Sequence, residues 1–323
     1  MSITRRKFLE TTAAGAIATG AFAAKSDNAM PTRPLGKTGV HVSILAMGAG
    51  SRYLQYKEED QAIEAVHRCL DQGITYIDSA DDYGKDHLSE IRVGKAIKGR
   101  REGLFIATKL SNRDPEQSFK IVETSLKSLQ IDRLDLLHVH ALMNQDDLDK
   151  VEAKGGVLDQ VLKMRDQKMT RFIGITCHND PTILAAALER HDFDVTQMAL
   201  NAVLVGMKSG KGGMVPNDAF KTSFETVALP IANRKKMGVI AMKVLAQDAL
   251  AGADPAKLIN YSLSLPVTAV VVGMPKFEHI DENCKLAKSF KPMPASERKQ
   301  LSGELSKKYK AQLDQFFMNH IDA

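Results

Sequence analysis

The 323-residue sequence predicts an α/β fold, a closed (β/α)8 TIM barrel. Eight short, apolar segments rich in β-branched residues alternate along the chain with eight helical segments. Units of this size in regular alternation are typical of a parallel sheet that closes into a barrel. An open, doubly wound sheet is the alternative, but no Gly-x-Gly-x-x-Gly motif follows an early strand.

The predicted elements follow one another from residue 44 to residue 289. The first helix shows its period clearly, because apolar residues recur at helical spacing from Ala62 to Leu70. The predicted strands are Ile44–Met47, Ile74–Ala80, Leu104–Lys109, Leu134–His140, Arg171–Cys177, Val195–Leu200, Val239–Val244 and Ala269–Met274. The predicted helices span residues 58–72, 87–98, 115–129, 147–168, 181–190, 218–237, 255–264 and 277–289.

The chain beyond Pro292 is a polar tail with a predicted helix from Ser296 to Phe317. We expect this tail to pack over the barrel or near its mouth. Two predicted loops are long, residues 141–156 and residues 201–217, and the second contains four glycines. Long glycine-rich loops at the carboxyl ends of barrel strands often act as lids. A lid and a disordered insertion remain equal interpretations of the second loop.

The first 24 residues resemble a twin-arginine export signal, because Arg5 and Arg6 precede a weakly apolar run from Thr11 to Ala24. That run is too short to span a bilayer as a stable helix. We therefore predict a signal peptide at residues 1–24, a flexible lead-in at 25–31 and a barrel domain at 32–323. The signal implies that the twin-arginine export machinery delivers the folded protein to the periplasm. The alternative is a disordered or helical N-terminal arm.

Charge and cysteine content argue against several classes of protein. Of the net charge of +5, two arginines and one lysine against one glutamate in residues 1–24 contribute +2, which leaves +3. So small an excess, without a long basic stripe, argues against a partner nucleic acid. Cys69, Cys177 and Cys284 lack metal-type spacing, and their odd number argues against a disulfide framework. We expect a monomer that holds no metal and is not an integral membrane protein.

Four reactive side chains lie at or just after the ends of successive predicted strands. Asp78 is near the end of the second strand, and Tyr83 lies in the loop that follows. Lys109 ends the third strand and His140 ends the fourth. Apolar strands do not end in Lys or His for packing reasons, and the carboxyl ends of barrel strands converge on one mouth. The sequence therefore predicts that these four side chains meet in one pocket.

This set resembles the catalytic tetrad of the aldo-keto reductase family. The resemblance covers roughly residues 31–290. The matching segments are Thr32–Ser43, which resembles the opening β-hairpin of the family, Gly73–Ala80 with Tyr83, Gly84, Glu90 and Gly94, Arg171–Thr176 in the fifth strand, and Glu282 with Asn283 in the last helix. The resemblance implies NAD(P)H-dependent reduction of a small aldehyde or ketone to an alcohol.

The tetrad has a specific chemical logic. A free phenol has a pKa of about 10, too high for acid–base work at neutral pH, and a nearby ammonium group lowers it. We expect Lys109 to lower the pKa of Tyr83, and Asp78 to keep Lys109 charged and oriented. Tyr83 is then the general acid in reduction, and His140 directs the carbonyl oxygen. Each residue also has an ordinary structural alternative. Asp78 could cap the following turn, and Tyr83 could be a packed aromatic. Lys109 could be a snorkelling lysine at a strand end, and His140 could be a barrel histidine with satisfied hydrogen bonds, as we expect for His138.

The resemblance also implies a set of cofactor contacts. Thr176 and Gln197 match positions that bind the nicotinamide carboxamide, although the following family Asn is Cys177 here. Met242 matches a position that packs against the nicotinamide ring. Lys243, a lysine in a barrel strand, is expected to contact the cofactor pyrophosphate, and an internal ion pair is its alternative.

The adenosine-phosphate segment of the family corresponds to residues 273–283, where a helix N-terminus can receive phosphate. Gly273, Lys276, His279 and Asn283 are the candidate contacts. His279 stands where many relatives carry the Arg that grips a 2′-phosphate, and Lys276 is the candidate replacement. The resemblance to the family makes NADP(H) the first choice of cofactor, and the missing Arg keeps NAD(H) as the alternative.

Two other functions remain open at the level of the sequence. The first is a nucleotide-binding sensor or partner protein with little turnover. The second is a lyase or isomerase that uses Tyr83 and Lys109 and recycles a bound cofactor. Free nicotinamide cofactor is expected to be scarce in the periplasm, so the cofactor either stays bound and is recycled or the physiological role differs from the usual one of the family.

Overall fold

The computed structural model describes residues 29–210, 213–217, 222–246, 250 and 252–318, so the predicted signal peptide lies outside the described residues. Two short strands, β1 (Thr32–Pro34) and β2 (His41–Ser43), precede the barrel. The barrel strands are β3 (Leu45–Gly48), β4 (Tyr76–Asp78), β5 (Phe105–Leu110), β6 (Leu134–Val139), β7 (Thr170–Cys177), β8 (Val195–Ala199), β11 (Gly238–Met242) and β12 (Ala269–Val272). Between β8 and β11 lie β9 (Gly206–Gly210) and β10 (Gly213–Asn217).

The eight barrel strands are all parallel and form a closed ring in the order β11, β12, β3, β4, β5, β6, β7, β8. The ring closes where β8 pairs with β11, with Val195 opposite Gly238. The predicted (β/α)8 barrel is confirmed, and the open sheet is excluded. Parallel pairing also sends the carboxyl ends of all eight strands to one mouth.

The helices that follow the strands agree with most of the predicted spans. They are α1 (Glu59–Asp71), α2 (Leu88–Ile97), α3 (Pro115–Leu129), α4 (Gln145–Glu152), α5 (Val157–Asp166), α6 (Pro181–Arg190), α7 (Ala228–Arg234), α8 (Pro255–Leu263), α9 (Phe277–Lys288) and α10 (Ala295–Met318). Asp114, Asp180 and Asp254 begin α3, α6 and α8 as N-caps, each followed by proline at the first helical position. That combination fixes a helix start from the sequence alone.

Two predicted helices differ from the structure. The stretch 147–168 is two helices, α4 and α5, because the chain turns at Gly155, whose φ of 75° lies in the left-handed region. The stretch 218–237 contains only α7, and residues 218–221 lie outside the described residues. Before α7 the chain makes a turn in which Ser223 and Thr226 bond each other's backbone N–H groups, at 3.3 and 3.0 Å. Such local side-chain bonds compete with a helix.

The predicted N-terminal hairpin is confirmed and closes the end of the barrel opposite the mouth. β1 pairs antiparallel with β2, with Arg33 opposite Val42. Leu35 and Val42 are fully buried and pack into the apolar interior of the barrel with Tyr76 and Phe105. Before the hairpin, Met30 packs against the outer core and the Pro31 carbonyl accepts a bond from the Ile44 N–H.

The predicted helical tail is also confirmed as α10, which begins one residue before the predicted start. Leu301 and Leu305 pack against the core between the barrel and its helices. Arg298 secures the start of α10 by donating to the carbonyl oxygens of Ser264 and Met293. No helix among the described residues combines the length and apolarity that a membrane span requires.

Candidate active site

The barrel brings all four predicted catalytic side chains to its mouth. Asp78 is the last residue of β4, Lys109 lies near the end of β5, and His140 directly follows β6. Tyr83 lies in the loop after β4, and its ring centroid is 5.8 Å from that of His140. All four line or underlie one cavity of about 960 Å³, of which Asp78, Tyr83 and His140 form part of the wall. The predicted meeting of these side chains is therefore present in the structure.

Lys109 is the buried centre of the group. Its Nζ donates to Asp78 Oδ2 at 2.7 Å and to Tyr83 Oη at 3.3 Å, and a third bond reaches the Ser79 carbonyl. Burial alone would lower the pKa of Lys109, but the Asp78 carboxylate and the Tyr83 phenol outweigh it and raise the pKa. The ammonium group is therefore charged at neutral pH.

The pKa of Tyr83 differs from the sequence-based expectation. Burial raises it above the ordinary value of a phenol, and the lowering by Lys109 only partly offsets that effect. The expected net lowering is therefore wrong, although Lys109 acts in the expected direction. Tyr83 keeps its proton at neutral pH, which suits a group that must donate it.

His140 is nearly fully buried, and its Nδ1 lies 2.7 Å from Ser111 Oγ. Burial lowers the pKa of His140 well below its usual range, and Lys109 lowers it further. A neutral imidazole donates one hydrogen bond without adding a second positive charge beside Lys109. Among the four tetrad residues, Lys109 is therefore the one cation, and Tyr83 and His140 are neutral proton donors.

His138 lies one layer deeper in the barrel, opposite Lys109 in the register of β5 and β6. We expected a histidine with satisfied hydrogen bonds, but neither ring nitrogen has a partner among the described residues. Burial and Lys109 keep the pKa of His138 well below its usual range, so the ring is neutral. Gly174 makes room for this ring, because a Cβ there would lie 2.4 Å from His138 Nδ1.

Six of the eight predicted cofactor contacts line the cavity: Gln197, Met242, Lys243, Gly273, His279 and Asn283. Thr176 does not line it, because this buried residue uses its Oγ1 to accept a bond from the Ala141 N–H at 2.7 Å. Lys276 does not line it either and is the exposed N-cap residue of α9.

Two of the lining residues have unused bonding capacity. Gln197 Nε2 donates to Asp78 Oδ2 at 3.2 Å, while Gln197 Oε1 has no partner among the described residues. Lys243 pairs with no carboxylate in the described part of the chain, so the internal ion pair proposed as its alternative is not observed there. Burial, Lys109 and Arg52 lower the pKa of Lys243 to about 8.

Several lining residues were not anticipated. Arg52 lies against Gly273, where a Cβ would meet the Arg52 Cβ at 2.7 Å. His178 follows the predicted Thr176–Cys177 pair, and its ring centroid is 5.9 Å from that of His140. Met207 and Lys208 reach the cavity from β9, so the described part of the long glycine-rich loop is a β-hairpin at the mouth.

Asp81, Asp82 and His140 place potential metal-ligand atoms within 4.8 Å of one another. Asp81 already accepts a bond from the Ser111 N–H, and His140 is bonded to Ser111. These two bonds do not test metal binding, so the absence of a resident metal stays a prediction.

Comparison with known proteins agrees with this architecture. The family model described as "Aldo/keto reductase family" matches residues 45–257, which is more than half of the chain. An uncharacterised oxidoreductase of Bacillus subtilis, YqkF, is 25% identical over 80% of this chain and 91% of its own length. L-galactose dehydrogenase of Arabidopsis thaliana is 25% identical over 78% of this chain and 86% of its own length.

Among solved structures, an aldo-keto reductase from Klebsiella pneumoniae in complex with NADPH superposes with a TM-score of 0.65. Its sequence is 19% identical, and the match covers 85% of this chain and 96% of that one. This likeness shows a common fold. The match of the family model establishes that the chain belongs to the aldo/keto reductase family and is an oxidoreductase.

Proposed function

We propose that the chain catalyses the reduction of a small aldehyde or ketone to an alcohol, with NADP(H) as its cofactor. The observation that carries the proposal is the position of Lys109 Nζ, 2.7 Å from Asp78 Oδ2 and 3.3 Å from Tyr83 Oη, at the edge of a large cavity. A buried ammonium beside a phenol stabilises the phenolate that forms when the proton leaves.

The chain supplies the proton and the electrostatics of this reaction. As negative charge develops on the carbonyl oxygen, Tyr83 donates its proton to that oxygen. Lys109 then neutralises the phenolate, and Asp78 keeps Lys109 charged and in place. His140, a neutral donor, binds the same oxygen and orients it towards Tyr83. The bound nicotinamide supplies the hydride. In the reverse direction Tyr83 accepts the proton from the alcohol.

The residues of the cavity fit a nicotinamide dinucleotide. The unpartnered Gln197 Oε1 suits the carboxamide N–H group, and Met242 offers a polarisable apolar contact to the ring. Lys243 provides a partly buried positive charge for phosphate. His279 and Asn283 line the end of the cavity assigned to the adenosine phosphate, where α9 begins.

NADP(H) is preferred over NAD(H) for two reasons. The solved structure from Klebsiella pneumoniae is described as a complex with NADPH. In addition, Arg52 lines the cavity with its Cβ beside Gly273, so this residue can bring a guanidinium group to the segment in which His279 stands in place of the family Arg. Arg52 joins Lys276 as a candidate for a 2′-phosphate, although Lys276 lies outside the cavity wall.

We further propose that residues 1–24 export the folded protein through the twin-arginine machinery to the periplasm. Support comes from Arg5 and Arg6 and the weakly apolar run that follows them. The monomeric state and the lack of a nucleic-acid partner belong to the same set of proposals. In the periplasm, either the cofactor stays bound and is recycled or the physiological role differs from the usual one of the family.

Replacing Tyr83 by Phe removes the proton donor and leaves the cavity shape nearly unchanged. We expect kcat for NADPH-dependent reduction of an aldehyde such as 4-nitrobenzaldehyde to fall at least about 100-fold. The dissociation constant of NADPH, measured by calorimetry, should stay the same. Tyr261→Phe is the matched control, because Tyr261 does not line the cavity and its hydroxyl donates to Glu225, in the turn before α7.

Unchanged turnover in Tyr83→Phe would remove this residue from the mechanism. A wild-type protein that binds NADPH but never oxidises it with any of a panel of aldehydes would favour the sensor. Interconversion of a substrate without net NADPH consumption would favour the lyase or isomerase.

The affinity for NADPH should depend on the protonation of Lys243, whose pKa is lowered to about 8. Phosphate binds the charged form, so affinity is full below pH 8 and falls as the pH rises above it. Lys243→Arg keeps the charge and should abolish this fall. Lys243→Met should bind about 10- to 100-fold more weakly at pH 7 and show no such fall. Calorimetric titrations between pH 6.5 and about 9.5 measure this; equal affinity of wild type and Lys243→Met at pH 7 would contradict it.

Export can be tested in a bacterium with a functional twin-arginine system. Fractionation by osmotic shock should recover the wild-type chain from the periplasm, shortened by about the length of the proposed signal. The double variant Arg5→Lys with Arg6→Lys should remain in the cytoplasm at full length, because the machinery reads the arginine pair. Equal export of both proteins would refute the proposed route.

A further inference from the structure

We propose that Ser111 sets the tautomer of His140, by donating its hydroxyl proton to Nδ1 so that Nε2 carries the hydrogen offered to the substrate carbonyl. Ser111 is thus a positioning residue, which acts through His140. The inference rests on the proposed function for its catalytic consequence, while its structural part can be tested without turnover.

The first support is geometric. Ser111 Oγ lies 2.7 Å from His140 Nδ1, so this ring nitrogen is occupied and Nε2 is the remaining one. Ser111 follows β5 and is held in place by its own backbone, since its N–H donates to the two Asp81 carboxylate oxygens at 3.3 and 3.4 Å. The hydroxyl group therefore stands on a fixed segment of chain.

The same loop also fixes the backbone of His140. Arg113 donates to the His140 carbonyl oxygen and forms a two-bond ion pair with Asp147, at 2.8 and 3.1 Å. The His140 N–H donates to the Leu110 carbonyl. The segment from Leu110 to Arg113 consequently holds both the backbone and the ring of His140, and Ser111 makes the bond to the ring.

The second support is the charge state of the ring. Burial, Lys109, His178, Arg113 and His138 all lower the pKa of His140, so the ring is neutral and carries a single hydrogen. A neutral imidazole is a donor at one nitrogen and an acceptor at the other, and the bond made by one nitrogen decides the role of the other. A donating hydroxyl at Nδ1 therefore makes Nε2 the donor.

A competing acceptor makes this choice consequential. Asp82 Oδ1 lies 3.5 Å from the same Nδ1, and about half of the Asp82 side chain is exposed. A carboxylate can only accept, so pairing with Asp82 would place the hydrogen on Nδ1 and leave Nε2 as an acceptor that repels a carbonyl oxygen. Ser111 Oγ is nearer to Nδ1 by 0.8 Å, and while its hydroxyl donates to Nδ1 this nitrogen carries no hydrogen to give to Asp82.

The tautomer can be read directly by long-range 1H–15N NMR on protein labelled with 15N-histidine, with His140→Gln used to assign the signals. We expect the Nε2–H form in the wild type and in Ser111→Thr, which keeps a hydroxyl. Ser111→Ala should shift the ring towards the Nδ1–H form. Thr124→Ala is the control, because this hydroxyl bonds only within α3.

Kinetics with NADPH and 4-nitrobenzaldehyde test the consequence. We expect kcat of Ser111→Ala to fall roughly 100-fold, as for the loss of one oxyanion donor, while the NADPH dissociation constant stays unchanged. Ser111→Thr should have a kcat close to that of the wild type.

The Nδ1–H form in the wild type, or an unchanged tautomer of His140 in Ser111→Ala, would overturn the inference. A shifted ring with unchanged kcat would overturn its catalytic part. A wild type without turnover would count against the proposed function, while the NMR result would still decide the tautomer.

Discussion

The site depends on one electrostatic constraint, the burial of the Lys109 ammonium group at the end of a barrel strand. An isolated cation in such surroundings would lose its proton, since burial alone lowers its pKa. The Asp78 carboxylate at 2.7 Å reverses that tendency. The charged state of Lys109 follows from this pair, whereas burial is the largest cause that keeps the proton on Tyr83 and leaves the His140 ring neutral.

The barrel provides this arrangement through its register. β4 and β5 pair with Asp78 opposite Ala107, so Lys109 is the next inward-facing residue of β5 after Ala107. β5 and β6 pair with Lys109 opposite His138. Inward positions alternate along each strand, so His140 is the next inward residue. A slip of one residue in either pairing would send one of these groups to the outer face. The apolar interior below them, plugged by the hairpin, excludes water from this end.

Much of this could be predicted from the sequence, because strand ends, helix caps and the alternation of elements are local signals. The departures arise where distant parts of the chain decide the outcome. The net pKa of Tyr83 depends on its burial, which exceeds the effect of Lys109 and cannot be read from spacing. Thr176 is occupied by the backbone of the loop at Ala141. Arg52 and Ser111 lie in loops, whose side chains carry no periodicity, and only the fold shows what they contact.

The most direct test of the central claim is the protonation state of Lys109, followed by 15N NMR of protein labelled at lysine Nζ, with Lys109→Met to assign the signal. The pair with Asp78 predicts that Lys109 Nζ stays charged from pH 7 to beyond the ordinary lysine value of about 10.4. Asp78→Asn should lower that pKa. A Lys109 that loses its proton near neutral pH in the wild type would contradict the proposed role of this pair.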